Sequence, residues 1–190
     1  MIRFLSYLVL ALSLTSMLGC SSIISLGTSD PIKENPAKRS FGAYIDDEII
    51  EVKTKVNLGN ISEQLKKSHI SVISYNGVVL LTGQVANEEL RQLATSTAEQ
   101  VKKVRRVYNE ITVSGATSAL ARSNDAWLTA KIKSKMIANS EVAARRIKVV
   151  TENGVVFLMG LVTKAEGDRA ADVVRTTKGV QKVVRIFEYI

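Results

Sequence analysis

The sequence predicts an α+β protein built from two tandem copies of one small unit, each ordered helix, strand, strand, helix, strand. Three observations predict it. A ten-residue phrase occurs twice, NGVVLLTGQV at 76–85 and NGVVFLMGLV at 153–162, offset by 77 residues and identical at seven positions. A repeat of that spacing marks two copies of one folding unit. Each phrase opens with Asn-Gly between runs of β-branched and aliphatic residues. That is the strongest short hairpin signal, because both turn positions need positive φ. Each hairpin is also flanked by stretches whose apolar residues recur at helical spacing.

The first copy begins with Ile49, Val52 and Val56 at helical spacing, preceded by Asp46, Asp47 and Glu48, acids that suit a positive helix N-terminus. A polar stretch with Gly59 ends this helix. Residues 69–75 and 78–85 form the hairpin around Asn76-Gly77. Asn87 caps a second helix with Leu90, Ala94, Ala98 and Val101 on its apolar side. A closing strand follows over 104–113. In the second copy Ser123 or Asn124 caps a helix carrying Leu128, Ile132 and Met136 on one face. Residues 147–152 and 155–162 form the hairpin around Asn153-Gly154. Thr163 to Glu166 is a capping box, Ala170, Val173 and Val174 follow it, and Gly179 ends that helix. The closing strand runs over 180–189. Each unit is near the lower size limit for an independent core.

The N-terminus sets the compartment. Residues 4–18 are an apolar run behind a single charge, Arg3, too short and too polar at its end for a spanning helix. The run fits a secretory signal. It ends in Leu18-Gly19-Cys20, which resembles a bacterial lipobox, with Met17 where leucine is usual. The resemblance implies an acylated Cys20 as the first mature residue. Ser21 in place of aspartate implies sorting to the outer membrane of a Gram-negative bacterium. Several acyl chains on one cysteine anchor a chain without a spanning helix. The expected organisation is a signal peptide at 1–19, a lipidated cysteine and flexible tether at 20–45, units at 46–113 and 123–190, and a linker at 114–122.

The order αββαβ with V-x-L-x-G-x-V in the hairpin resembles the BON domain. Val79, Leu81, Gly83 and Val85 carry the pattern in the first copy, and Val156, Leu158, Gly160 and Val162 in the second. Gly179-Val180 fits the family's usual Gly-Val before the last strand, while Lys103-Val104 departs from it. The resemblance implies in each unit a small mixed three-stranded sheet with two helices packed on one face. Two BON domains behind a lipobox resemble outer-membrane lipoproteins that support envelope integrity. That family implies binding of anionic phospholipid through the second domain, accumulation at division sites and a link to the outer-membrane barrel-assembly machinery.

Charge is unevenly divided. The chain carries +8, yet residues 46–113 hold nine basic and nine acidic side chains, whereas residues 121–190 hold thirteen and seven. A basic surface beside anionic headgroups gains about 1 kcal/mol per Lys or Arg. Trp127, the only tryptophan, precedes Leu128, and Trp127, Lys131 and Lys135 form a stripe beside the core face at i, i+4 and i+8. An indole beside ammonium groups suits a membrane interface, whereas a tryptophan serving structure alone would pack between the two units or against the last strand. Aligning Val56 with Ile132 puts Glu51, Lys55 and Gly59 at the matching positions of the first copy. Trp127, Leu128, Lys131 and Lys135 are therefore the expected phospholipid contacts, with Lys133, Arg145 and Arg146 as further basic candidates. The isolated second unit is expected to bind anionic vesicles.

Nothing in the pattern points to catalysis or to a small-molecule substrate. His69 stands alone, Asp46-Asp47 and Glu88-Glu89 fall at helix starts, and Gly83 and Gly160 lie inside strands, where close packing explains them. No metal spacing is present, and no cofactor is expected beyond the lipid on Cys20. The export signal removes nucleic acid as a ligand. A second function class remains, a protein-interaction module for the barrel-assembly machinery. Lys102, Lys103, Arg105 and Arg106 form a basic run whose ordinary reading is a solvated face, the alternatives being that it meets such a partner or contacts the second unit.

Overall fold

A computed structural model describes residues 39–190. Each unit has a three-stranded sheet in which the strands lie in their chain order. In the first, β1 (Ile70–Tyr75) is antiparallel to β2 (Val78–Val85), and β2 is parallel to β3 (Arg106–Val113). The second repeats this with β4 (Ile147–Glu152), β5 (Val155–Val162) and β6 (Lys182–Tyr189). The long helices are α1 (Phe41–Ile61) and α3 (Glu88–Glu99) in the first unit, and α4 (Ala119–Ala138) and α5 (Lys164–Arg175) in the second. A short α2 (Glu63–Lys67) follows α1. The mixed sheet with two helices on one face is the predicted architecture. The hairpins turn where Asn-Gly requires it, with φ of 53° and 76° at Asn76 and Gly77, and 48° and 74° at Asn153 and Gly154.

Several element ends differ from expectation. Helix α1 starts at Phe41, inside the segment read as tether, because Ser40 caps it by accepting from the Ala43 N–H. It runs past Gly59 to Ser62, whose hydroxyl caps α2. Helix α4 starts at Ala119, capped by Ser118 rather than by Ser123 or Asn124. Strands β3 and β6 begin at Arg106 and Lys182 rather than at 104 and 180, because Lys103 (φ 75°) and Gly179 (φ 107°) take the left-handed conformation at the turns that precede them. A non-glycine residue there is strained by about 1 kcal/mol or more. The Lys103 ammonium sits 2.6 Å from Asp46, an ion pair that holds the turn.

The largest correction concerns the face of α1. Its buried residues are Asp47, Ile50, Thr54 and Leu58. Ile49, Val52 and Val56 point outward, at 44, 61 and 53% exposure. Asp47 sets this rotation. Its carboxylate accepts from the Asn76 and Gly77 amides at 2.7 and 2.8 Å and from Ser74 Oγ at 2.6 Å, so it must face the hairpin. Asp125 does the same in the second unit, accepting from the Asn153 and Gly154 amides at 2.7 and 2.9 Å. The aspartate lies 29 residues before its turn in the first unit and 28 in the second, so the helices match at an offset one residue larger than the hairpins do.

Strand β2 is buried along its whole length. Val79 and Leu81 face the helices, with Ile50, Leu58, Ala94 and Ala98. In the second unit Val156 and Leu158 repeat the arrangement with Ile132, Met136, Ala170 and Val174. The other face of each sheet packs on the other unit. Tyr75, Val78 and Leu80 meet Phe157, Met159 and Ile186 in a shared core. The layers therefore run helix, sheet, sheet, helix. Burying an apolar side chain of this size contributes about 1.5–3 kcal/mol, so the contact is a principal source of stability. Polar clasps border it. The Tyr75 hydroxyl donates to the Arg146 carbonyl at 2.9 Å, Gln84 Nε2 to Glu152 at 2.6 Å, and Lys148 Nζ to Glu51 at 2.8 Å. The glycines inside β2 and β5 permit close strand approach: a Cβ on Gly83 would lie 1.9 Å from the His69 carbonyl oxygen, and one on Gly160 2.5 Å from that of Arg146.

Candidate functional site

Helix α4 presents its core face through Asp125, Leu128, Ile132 and Met136. Its outward face follows from that rotation. Residues 120, 123, 127, 130, 134 and 137 recur at steps of three and four and share one side. Leu120, Trp127 and Ile137 on that side are exposed, Trp127 at 63% and Ile137 at 73%. Ser123, Ala130 and Ser134 lie between them and are exposed too. Trp127 is thus at the surface, not packed between the units.

Lys131 and Lys135 flank this stripe. The Lys131 ammonium lies 4.8 Å from the Trp127 ring centroid, a cation–π contact, and donates to the Lys178 carbonyl at 3.2 Å. Beside the indole is an open groove of about 450 Å³ lined by Ala121, Asn124, Leu128, Gly154, Gly179 and Gln181. Lys133 is exposed on the opposite shoulder of the helix. The only acid of α4, Asp125, is buried and spent on the hairpin, so the exposed ionic groups of this helix are all cations.

Two expected contacts are placed elsewhere. Leu128 is 5% exposed and belongs to the core, where it supports the groove floor. Arg146 turns inward to pair with Glu166. Arg145 stays exposed and lines a second groove together with Ile137. Sequence reasoning missed Leu120 and Ile137. Both continue the 3-4 spacing of Trp127; Leu120 was hidden by a helix start set at Ser123 or Asn124, and Ile137 by a stripe drawn only through the lysines.

The comparison between copies also changes. With the helices matched on their buried aspartates, Ile49, Lys53 and Asn57 stand where Trp127, Lys131 and Lys135 do, replacing Glu51, Lys55 and Gly59. Both helices carry an apolar outer residue at the first position. They differ in the indole and in charge, since α1 exposes Glu48 beside Lys53 and Lys55.

The basic run of the first unit is mostly engaged. Arg105 pairs with Glu188 of the second unit and donates to the Asn76 carbonyl at 2.9 Å. Arg106 donates to the Tyr108 hydroxyl at 3.2 Å, and Lys102 is exposed. Among the described residues no cluster of His, Cys, Asp and Glu is placed to hold a metal, and no helix is long and apolar enough to cross a membrane. Cys20 lies outside the described residues.

Two αββαβ units in tandem, with matching hairpin geometry and divergent first helices, define the class. Residues 46–115 and 124–189 match the BON domain, and the chain belongs to the BON-domain family. It is 39% identical over 172 residues to the outer membrane lipoprotein DolP of Haemophilus influenzae, covering 90% of this chain and 89% of that protein. It is 40% identical over 152 residues to a 21 kDa hemolysin of Actinobacillus pleuropneumoniae, covering 80% and 78%. To osmotically-inducible protein Y of Escherichia coli it is 29% identical over 188 residues, covering 94% and 93%. The chain is an outer-membrane lipoprotein with two BON domains.

Proposed function

We propose that this lipoprotein supports envelope integrity by docking its second BON domain on anionic phospholipid, while a lipid on Cys20 anchors the chain. The observation that carries the reading is the exposed Trp127 with the Lys131 ammonium held at its ring face. The indole and Ile137 enter the headgroup region, and Lys131, Lys135, Lys133 and Arg145 meet phosphates. Enrichment at division sites would follow from the distribution of anionic lipid. The barrel-assembly alternative has less support, because Arg105 is occupied at the contact between the domains.

The domains share a core, so the second should not be tested alone; separation would lay bare Phe157, Met159 and Ile186, which would bind vesicles nonspecifically. Residues 39–190 without the anchor are the proper sample. Co-sedimentation with vesicles containing an anionic phospholipid should be strong at low salt and weak on zwitterionic vesicles. Trp127→Glu and Ile137→Glu should each reduce binding by about tenfold without lowering the melting temperature, a loss of about 1.4 kcal/mol. Wild-type binding by Trp127→Glu would sink the proposal.

A further inference from the structure

Helix α1 carries the most apolar outer face among the described residues. Phe41, Ile45, Ile49, Val52 and Val56 recur at steps of four, four, three and four, and all are exposed. The stripe spans roughly 22 Å at the helical rise. Monomeric proteins rarely leave such a face uncovered. Its rotation is dictated by Asp47, which turns these residues away from the core.

The charges beside the stripe favour one occupant. Helix α4 exposes only cations, as an anionic surface requires. Helix α1 instead mixes Glu48 with Lys53 and Lys55, and Glu48 and Lys55 lie on the same shoulder, seven residues apart. We propose that α1 pairs antiparallel with α1 of a second copy of this chain, about a two-fold axis between Ile49 and Val52. That arrangement sets Glu48 against Lys55 of the other copy twice, and packs Ile45 beside Val56 and Ile49 beside Val52. A two-fold contact must be self-complementary, and this face is. One helix pair buries less than the roughly 800 Å² per partner of a stable interface. The dimer is therefore weak in solution and relies on confinement of anchored chains to a membrane plane.

Cysteine crosslinking tests this. Cys20 is the only native cysteine. In the acylated full chain, Val52→Cys supplies the one free thiol. In vesicles of zwitterionic phospholipid, oxidation should give a disulfide-linked dimer, and Ile137→Cys on α4 should not. Adding Glu48→Lys should lower the dimer yield about fivefold, and adding Lys55→Glu as well should restore it. Trp127→Glu should leave the yield unchanged, which separates this pairing from lipid docking. The proposal is overturned if Val52→Cys crosslinks no more than Ile137→Cys. It is equally overturned if the thiol stays monomeric yet is shielded from a water-soluble maleimide, since lipid would then cover the face.

Discussion

Asp47 and Asp125 each hold an Asn-Gly turn by accepting two backbone N–H groups, and they fix how the first helix of each domain is rotated. Asp47 carries more, with Ser74 Oγ and an ion pair to Arg39 at 2.9 Å. Removing either leaves buried amides without partners. Asp47→Ala should cost about 3 kcal/mol and Asp125→Ala about 2 kcal/mol in urea unfolding of residues 39–190. Thr54 occupies the position that Ile132 fills in the second domain, and its buried hydroxyl has no partner among the described residues. Thr54→Val should therefore raise stability by about 1 kcal/mol, read as a higher urea midpoint. In the sequence Asp47 is legible only as an acid near a helix start, and Asp125 has no signal of its own. Their role depends on a contact about thirty residues away, which helical spacing cannot report.

The helices show which patterns were legible. Leu90, Ala94 and Ala98, and likewise Leu128, Ile132 and Met136, are buried as their spacing predicts. In α1 two apolar stripes compete, and the more hydrophobic one faces out, so composition pointed to the wrong side. The capping box at Thr163 and Glu166 forms as read, with both reciprocal bonds present. The Thr163 N–H donated to Glu166 holds its carboxyl below the usual carboxylate range; partial burial opposes this, and the Thr163 hydroxyl and Arg146 reinforce it. A lowered folded-state pKa gives stability that is present above the unfolded value of about 4.3 and lost as pH falls through the folded one. Glu166→Gln should thus cost about 1 kcal/mol at neutral pH, with the difference from the parent vanishing in acid. Thermal melts across pH measure it.

At the scale of the molecule, the doubled hairpin phrase is apolar on both faces because β2 and β5 are buried between helices and the opposing sheet. The repeat made two units legible but not that they share a core. Residues 39–190 should consequently unfold in one calorimetric transition, and Leu80→Glu should destabilise both domains together. The division of labour between the first helices rests on Trp127, and its fluorescence reports on it alone, since the chain has no other tryptophan. Residues 39–190 should show a blue-shifted emission, quenched by brominated acyl chains, on adding vesicles that contain anionic phospholipid. Emission that stays water-like and unquenched while the protein sediments with those vesicles would contradict docking through α4.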